Sequence, residues 1–336
     1  MIRFGIIGYG IMGKWYARII SESPRAQLVA VTSKSESSLQ VARDTYGVAV
    51  YQDTEEMLDR EQLDAVYIAT PDPLHTPFAI AALKRGVHIL LEKPMTMSLR
   101  EAKAILETAK QSGALGTLRF GNRYSPPFLK LKEAIERGDV GEAVAVHARL
   151  NDRIYVPTEM LSWADQTTPA WFLMSHLLDL VWWLLRKRPR RVSATGVQKV
   201  LSARGIHTYD VIQALVEYED GVIGTFETGW ILPNSMPSMV DLKVDVVGNR
   251  GASFVETLHQ TVRVASDTYT YPGVMMVEVG GRLQGYLIYI FGQFLDAIEG
   301  KSPNPVPLED GVLNVATLEA IHRSLETGQW EPVPEV

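Results

Sequence analysis

The sequence predicts an α/β protein: an N-terminal doubly wound parallel sheet, followed by a C-terminal α+β domain with a large, predominantly antiparallel sheet. Apolar strand-like segments alternate with helix-like segments in the first third of the chain. Further on, the apolar residues follow a two-residue alternation. The chain has 336 residues, which is long for one hydrophobic core. We place the boundary after residue 121, which gives domains 1–121 and 122–336.

The strands of the first domain are apolar nearly throughout, as in a parallel sheet that helices cover on both faces. Ser98 and Gly113 are typical N- and C-caps around an amphipathic helix. The predicted strands are 3–7, 28–32, 63–70 and 87–94, and the predicted helices are 12–21, 35–46, 75–86 and 98–113.

The second domain begins with a short helix and then a clearly alternating strand, 143–150. Glu219-Asp220-Gly221 is a turn signal between two strands and predicts a hairpin. A largely apolar helix covers 169–185, and a second strand–turn–strand segment covers 241–256. A loop follows at 301–307, and a final helix begins at about residue 309. We expect one apolar face of this sheet to be left uncovered, which predicts a homodimer or homotetramer formed through it.

Composition excludes several classes of function. The formal net charge of −6 gives no reason to expect nucleic acid or an anionic membrane as a partner. The chain has no cysteine, so disulfides and thiolate chemistry are excluded. Its seven histidines show neither H-x-x-x-H nor H-E-x-x-H spacing, and we expect no metal. With neither a signal-peptide pattern nor a membrane span, a cytoplasmic protein is expected.

The stretch "GIIGYGIMGKW" predicts a dinucleotide site of the Rossmann type. Gly8, Gly10 and Gly13 have the G-x-G-x-x-G spacing, directly after a predicted strand and at the start of a helix. These glycines allow a tight turn, close approach of a pyrophosphate and close packing of helix on strand. The N–H groups that begin the helix, at Ile11 and Met12, would face the phosphates.

The end of the second strand bears on the choice between NAD and NADP. An acidic residue that binds the adenosine ribose of NAD usually stands there, about 20 residues after the glycines. Here the sequence has Thr32, Ser33 and Lys34. Hydroxyl groups and an ammonium favour a 2′-phosphate, so NADP is predicted in preference to NAD. The alternative is that Lys34 is a solvated loop lysine.

Two further strand ends carry candidate residues. Thr70 and Pro71 follow one strand and lead to His75, which either lines the cofactor crevice or only begins a helix. Glu92 and Lys93 end the next strand, where open α/β sheets bind their ligands. A partly desolvated lysine there could exchange a proton with a substrate hydroxyl. The alternative is a surface lysine paired to Glu92.

Taken together, the N-terminal fingerprint, "ATPDPLH", "EKP" at residues 92–94 and an "H-x-x-D" helix in a second domain resemble the Gfo/Idh/MocA family. That family includes glucose–fructose oxidoreductase, inositol dehydrogenases and related sugar dehydrogenases. The resemblance implies that Lys93 is the catalytic acid/base and also contacts the nicotinamide end. It implies that His176 orients the reacting hydroxyl, and that Arg123 and Tyr124 face the substrate.

One departure from the family pattern concerns the substrate. Many members have an aspartate four residues before the histidine, where this chain has Phe172. Trp171 and Phe172 therefore suggest an apolar platform that either stacks on a sugar ring or only packs. Asp179 is one turn after His176, and we expect it to form a structural pair rather than to replace the missing aspartate.

The sequence thus predicts an NAD(P)-dependent oxidoreductase acting on CH–OH groups of a sugar, cyclic polyol or sugar derivative. Two alternatives remain open at this point. One is a glycoside hydrolase or lyase of the same fold that uses bound NAD for transient oxidation. The other is a non-catalytic dinucleotide-binding sensor, against which the presence of both Lys93 and His176 argues.

Overall fold

A computed structural model describes residues 1–258, 262–267, 269–271 and 276–336. The chain forms two compact units. The first contains Met1–Gly121 and Met276–Val312, and the second contains Asn122–Met275 and Leu313–Val336. The first part of this unit ends at Gly121, where we expect the domain boundary. The unit also includes Met276–Val312, a segment that we expect in the second domain.

The first unit contains the predicted parallel sheet. Its six strands are β1 (Ile2–Ile7), β2 (Ala26–Thr32), β3 (Ala49–Tyr51), β4 (Ala65–Ile68), β5 (His88–Leu91) and β6 (Gly116–Leu118). They lie in the order β3-β2-β1-β4-β5-β6, and all pairs are parallel. The order reverses between β1 and β4, as in a doubly wound nucleotide-binding sheet. The three-residue strands β3 and β6 are too short to show a periodicity and were not predicted.

Helices accompany this sheet in the alternation that the sequence predicts. They are α1 (Ile11–Glu22), α2 (Glu36–Tyr46), α3 (Thr54–Arg60), α4 (His75–Lys84) and α5 (Leu99–Ser112), of which α3 was not predicted. The predicted C-cap of α5 is confirmed, because Gly113 has a left-handed backbone conformation there. At its start Ser98 is the capping residue, although its side chain makes no cap hydrogen bond.

A late apolar helix explains why residues 276–312 belong to the first unit. It is α8 (Tyr286–Ile298), and it follows a small hairpin of β15 (Met276–Val279) and β16 (Arg282–Gly285). The Phe291 ring lies 5.3 Å from the Phe4 ring of β1, and Phe294 packs against the same ring. Burying such aromatic side chains is strongly favourable, so α8 completes the core of the parallel sheet.

The closest backbone approach in this unit is between α1 and the end of β1. A Cβ at Gly13 would lie 2.1 Å from the Gly8 carbonyl oxygen, which no side chain tolerates. Gly8 itself has a φ of +95°, and a Cβ there would lie 2.6 Å from the Ala69 carbonyl oxygen after β4. Only glycine fits at these two positions, for the reasons that the sequence motif predicts.

The second unit is built on a seven-stranded sheet. Its long strands are β7 (Ala143–Arg153), β8 (Pro189–Val197), β9 (Val211–Tyr218), β10 (Ile223–Leu232) and β11 (Val240–Gly248), with β12 (Ala252–Glu256) and β17 (Glu331–Pro332) at the edges. The order is β12-β11-β7-β10-β9-β8-β17. The two predicted hairpins, β9–β10 and β11–β12, are confirmed. Only β7 and β10 pair in parallel, so the sheet is predominantly antiparallel as expected.

The remaining elements complete the second unit. They are α6 (Pro126–Glu136), α7 (Ser175–Leu185), a long helix α9 (Leu308–Thr327) that continues from the first unit, and two short strands, β13 (Val264–Ala265) and β14 (Tyr269–Thr270). A π-helical turn, Ala170–Met174, runs directly into α7. Over the described ranges, no helix combines the length and the apolarity needed to cross a membrane.

The sheet face turned away from α7 is mixed in character, with a depression of about 640 Å³. Alternation along β7 buries Val146, Ala148 and Leu150 on the other face and exposes His147 on this one. Polar side chains in the lining of the depression are His147, Arg149, Gln213, Thr225, Glu227, Lys243 and Asp245. Exposed apolar side chains lie on the same face at Val197, Ile223, Val247 and Phe254.

The glycine packing leads to a stability prediction. We expect Gly13→Ala to lower the free energy of unfolding by about 1–3 kcal/mol, because the added methyl group forces α1 away from β1. Gly292→Ala, inside α8, is the matched control, since its Cβ would meet nothing within 4 Å. The control should be neutral or slightly stabilising. Urea unfolding followed by circular dichroism measures both, and equal stability of the two variants would contradict the packing argument.

Candidate active site

The carboxyl ends of the parallel strands bring the predicted residues of the first unit to one edge of the sheet. Gly8 follows β1, Ser33 follows β2, Thr70 comes just after β4, and Glu92 follows β5. Since neighbouring parallel strands end on the same side, these groups surround the point where the strand order reverses.

The glycine turn forms a cradle that fits a dinucleotide. Gly10 caps α1 without any side-chain hydrogen bond, and a Cβ on it would meet nothing within 4 Å. This open space lies beside the first N–H groups of α1, at Ile11 and Met12. Those N–H groups and the positive end of the helix dipole suit a pyrophosphate.

At the end of β2 the side chains are hydroxyl-bearing and basic. The Ser33 Oγ accepts a hydrogen bond from the Ser35 N–H at 3.1 Å, and Ser35 caps α2. Lys34 is exposed, whereas Thr32 is buried against Thr54. The carboxylate closest to Lys34 along the sequence is that of Glu36, and it accepts a hydrogen bond from Gln52 at 2.9 Å.

His75 contacts the loops that follow β4 and β5. It is fully buried, with Nδ1 2.7 Å from the Pro94 carbonyl oxygen and Nε2 3.0 Å from that of Thr70. The imidazole therefore links the loop after β4, with Thr70 and Pro71, to the loop that carries Lys93. Both ring nitrogens face protein carbonyl groups, so the ring holds these loops in place.

Lys93 is not the surface lysine of the alternative interpretation, because only 7% of it is exposed. The neighbouring Glu92 carboxylate forms a bidentate ion pair with Arg119, which follows β6. Arg119 Nε lies 2.6 Å from Oε1 of Glu92, and Nη2 lies 2.7 Å from Oε2. Burial acts to raise the pKa of Glu92, but the Arg119 charge and hydrogen bond outweigh it, so the pKa is lowered.

Tyrosines complete the surroundings of Glu92. The Tyr67 hydroxyl donates a hydrogen bond to Oε1, and the Tyr67 ring stacks on Tyr16 of α1 with 3.8 Å between centroids. Burial is the main cause that raises the pKa of both tyrosines. Both are therefore neutral, and Tyr67 acts as a hydrogen-bond donor to a permanent carboxylate.

In the second unit, α7 and the turn before it present one partly exposed face. Phe172 and His176 are half-buried, whereas every other residue from Ala170 to Val181 is buried. Their four-residue spacing places both on the same side. Such π-helical turns are frequent at functional sites.

Aromatic rings surround Phe172 in the same unit. Its ring centroid lies 6.0 Å from those of Trp163 and Trp230. Trp171, by contrast, is buried and stacks on His322 of α9 at 4.8 Å. The predicted apolar platform therefore rests on Phe172, while Trp171 packs.

The Arg123 side chain is buried in an ion pair rather than exposed. Its guanidinium donates to both carboxylate oxygens of Asp179, with Nε 2.9 Å from Oδ2, and both residues are at most 2% exposed. The expected structural pairing of Asp179 is confirmed. Tyr124 stays half-buried, and burial raises its pKa.

Several residues that support the site were missed by sequence reasoning. Arg119 is a charged residue at the end of an apolar stretch, the same signal that singles out Lys93, but β6 was too short to be recognised. Asn314 of α9 donates a hydrogen bond to the Ser175 carbonyl at 2.8 Å and so braces the start of α7. A polar residue inside a helix gives no sequence signal for such a contact.

The remaining bracing contact involves a neutral histidine. His322 Nδ1 donates to the Leu318 carbonyl oxygen at 2.7 Å, and Nε2 accepts from the Thr168 hydroxyl at 2.8 Å. Burial lowers its pKa, which fits this uncharged form. Among the residues that the structure describes, no three His, Asp or Glu side chains are grouped as metal ligands would be.

Comparison with known proteins assigns this chain to a family. Residues 2–120 match "Oxidoreductase family, NAD-binding Rossmann fold", and residues 132–334 match "Oxidoreductase family, C-terminal alpha/beta domain". The scyllo-inositol 2-dehydrogenase (NAD(+)) of Bacillus subtilis is 30% identical over 271 residues, which cover 79% of this chain and 77% of that protein. The myo-inositol 2-dehydrogenase of Thermotoga maritima is 23% identical over all of this chain and 99% of its own length.

A solved structure with the same fold is that of scyllo-inositol dehydrogenase from Lactobacillus casei with bound NAD(H) and scyllo-inositol. It has a TM-score of 0.83 at 20% identity and covers 99% of both chains. The two family matches together cover most of the sequence, and the first of them agrees with the glycine cradle. The chain therefore belongs to the Gfo/Idh/MocA family, an enzyme family of oxidoreductases with an NAD-binding Rossmann fold whose relatives are named as dehydrogenases of CH–OH groups.

Proposed function

We propose that this enzyme interconverts a secondary alcohol and a ketone on a sugar, cyclic polyol or sugar derivative, with Lys93 as acid/base. The observation that carries the proposal is a buried lysine at the carboxyl end of β5, on the same sheet edge as the glycine cradle. Burial of a lysine disfavours its charged form and so prepares it for proton exchange.

The chemistry balances with the groups this chain supplies. Oxidation of the alcohol removes a hydride from carbon and a proton from oxygen, and leaves a ketone. A bound nicotinamide dinucleotide supplies the hydride acceptor. Lys93, as the neutral amine, takes the proton and becomes the ammonium, and the reverse reaction returns that proton. His176 would hold the reacting oxygen by a hydrogen bond and so orient it.

The aromatic surroundings of Phe172 support a narrower proposal about the substrate. Phe172 lies on the His176 face of the helix, and the Trp163 and Trp230 ring centroids are each 6.0 Å from that of Phe172. Such a surface suits the C–H face of a sugar ring, and it offers no carboxylate for a hydroxyl group. We therefore propose a substrate that stacks a ring face on Phe172 rather than one held by an aspartate at this position.

The first prediction for this function concerns Lys93 and His176. We expect Lys93→Met and His176→Gln each to lower kcat by a factor of about 10²–10⁴, since each removes a group that handles the reacting proton or oxygen. The assay follows reduced dinucleotide by absorbance across a panel of sugars, polyols and keto-sugars. Lys84→Met, on the exposed side of α4, is the control and should have full activity. A Lys93→Met enzyme as active as its parent would refute the assignment.

The second prediction concerns the cofactor. We propose that NADP is preferred over NAD, because Ser33 and Lys34 stand where a ribose-binding carboxylate would otherwise exclude a 2′-phosphate. Lys34→Ala should lower kcat/KM with NADP by about tenfold and leave NAD nearly unchanged, since one charge-assisted hydrogen bond is lost. Ser33→Asp should reverse the preference. Equal loss with both dinucleotides in Lys34→Ala would contradict the proposal, and Lys84→Ala is the control.

The third prediction concerns self-association through the sheet face turned away from α7. We propose that a second copy of this chain covers it, because exposed Val197, Ile223 and Phe254 lie on the same face as charges of both signs. Light scattering should give a dimer or tetramer for the parent and a smaller species for Arg149→Glu. Lys130→Glu, on exposed α6, should leave the mass unchanged. A monomeric parent would contradict the proposal.

A further inference from the structure

The contacts of α9 with the turn before α7 assign a role to His322. We propose that His322 is a positioning residue that fixes the direction of the Phe172 side chain. It holds Trp171 and Thr168, which precede Phe172 by one and four residues. That Phe172 then faces a substrate rests on the proposed function. The direction of Phe172 is a property of the protein without substrate and can be measured separately.

The hydrogen bonds of His322 leave one tautomer for the neutral ring. Nδ1 lies 2.7 Å from the Leu318 carbonyl oxygen, which only accepts, so Nδ1 carries the proton. Nε2 is then the acceptor, and the Thr168 hydroxyl, 2.8 Å away, donates to it. Burial lowers the pKa of His322 and so favours the neutral ring that this arrangement needs. The proton of the Thr168 hydroxyl is therefore directed at α9.

Thr168 in turn holds the backbone of the two residues that follow Ala170. Its Oγ1 accepts a hydrogen bond from the Trp171 N–H at 3.2 Å, and its carbonyl oxygen accepts one from the Phe172 N–H at 2.9 Å. A hydroxyl has one proton and two lone pairs, so Thr168 donates to His322 and accepts from Trp171 at the same time. His322 is thus tied, through a single hydroxyl, to the backbone at Phe172.

The His322 ring also holds Trp171 through its side chain. The two rings are stacked, with 4.8 Å between their centroids and 14° between their planes, and Trp171 is 5% exposed. An aromatic side chain packed in this way cannot turn without opening the core. Phe172 follows directly in the same turn, so its side chain projects in a different direction, where it is half-buried. Holding Trp171 therefore sets the direction of Phe172.

A second contact from α9 holds the other end of the turn. Asn314 Nδ2 donates to the Ser175 carbonyl oxygen at 2.8 Å, and both residues are buried. Asn314 and His322 are eight residues apart, which is about 12 Å along a helix. One helix therefore holds the chain on both sides of the turn Ala170–Met174. With the far end held by Asn314, loss of the His322 contacts frees the part of the turn that carries Phe172.

Variants at the two partners separate the ring from the hydrogen bond. His322→Leu removes both, and His322→Gln keeps a hydrogen-bond acceptor without the ring. Thr168→Val removes only the hydroxyl, and Thr168→Ser keeps it. The double variant His322→Leu/Thr168→Val should be no worse than His322→Leu alone, because both changes remove the same bond. If one single variant fails to fold, the other still tests that bond. His207→Gln, at an exposed histidine of the same unit, is the control.

The measurement without substrate is fluorine NMR of protein labelled with para-fluorophenylalanine. Phe172→Leu identifies the Phe172 resonance, because that resonance alone is then lost. We expect it to shift or to divide into several lines in His322→Leu and Thr168→Val. It should stay close to its position in the parent in Thr168→Ser and His207→Gln, and His322→Gln should lie between the two groups.

The measurement with substrate uses a carbohydrate of the panel that the parent enzyme turns over. His322→Leu and Thr168→Val should lower kcat/KM for it by about 10–100-fold, because a misplacement of about 1 Å costs up to about 100-fold. The KM for the dinucleotide should not change, since the glycine cradle lies in the first unit. A purely structural role would lower only the fraction of folded enzyme, and with it kcat, and would leave the carbohydrate KM and the Phe172 resonance unchanged.

The outcomes separate this inference from the proposed function. An unchanged Phe172 resonance in both His322→Leu and Thr168→Val overturns the role of His322, even if His176 proves essential for activity. A moved resonance with unchanged kcat/KM in an active enzyme overturns it as well. A moved resonance together with the expected kinetic change supports the inference. If the resonance moves in a protein that oxidises no compound of the panel, the role of His322 in placing Phe172 stands and the proposed function does not.

Discussion

The close packing of α1 on the end of β1 is the constraint on which the first unit depends. Because Gly13 brings the helix against the Gly8 carbonyl group, the start of α1 opens onto the cradle for phosphates. One turn further along the same helix, Tyr16 reaches the Tyr67 ring, and Tyr67 donates to Glu92. A single helix position therefore fixes both the dinucleotide cradle and the polar network that borders Lys93. A shift of α1 would disturb both at once.

Helix α7 has a fully buried side and a half-buried side with different residues. On its buried side Asp179 holds Arg123, and the packed leucines anchor the helix to the core. On its other side Phe172 and His176 stay half-buried. The π-helical turn Ala170–Met174 lies directly before α7, and the hydrogen bond between Thr168 and His322 braces its start. Irregular helical backbone of this kind is costly and is retained where it places a side chain.

The sequence was sufficient for those parts of the fold that rest on local patterns. The glycine spacing, the apolar strands and the turn at Glu219-Asp220-Gly221 each carry their signal within a few residues. It was insufficient where a partner is distant along the chain. The packing of Phe291 on Phe4, which brings residues 276–312 into the first unit, joins segments almost the whole chain apart.

The same limit explains what was missed at the site. Glu92 and Lys93 stood out as charges at a strand end, yet nothing local showed that Arg119 would hold the carboxylate. Alternation along one strand shows which of its residues share a face, but the mixed character of the outer face of the second sheet comes from all of its strands together. Residue types therefore predicted where chemistry could occur, and tertiary contacts determined the electrostatic surroundings.

The two buried ion pairs are difficult to explain by stability alone. Glu92–Arg119 lies in the first unit and Arg123–Asp179 in the second, and both are almost fully removed from solvent. Replacing such a pair by apolar side chains is often neutral or stabilising, because desolvation of two charges offsets their attraction. Each pair, however, adjoins a residue to which we assign a proton-handling or orienting role: Lys93 follows Glu92, and His176 lies one turn before Asp179. A fixed pair of charges provides a preorganised field that apolar packing cannot provide. Under the proposed function, the location of both pairs is accounted for by the chemistry of the neighbouring side chain rather than by the energy of folding.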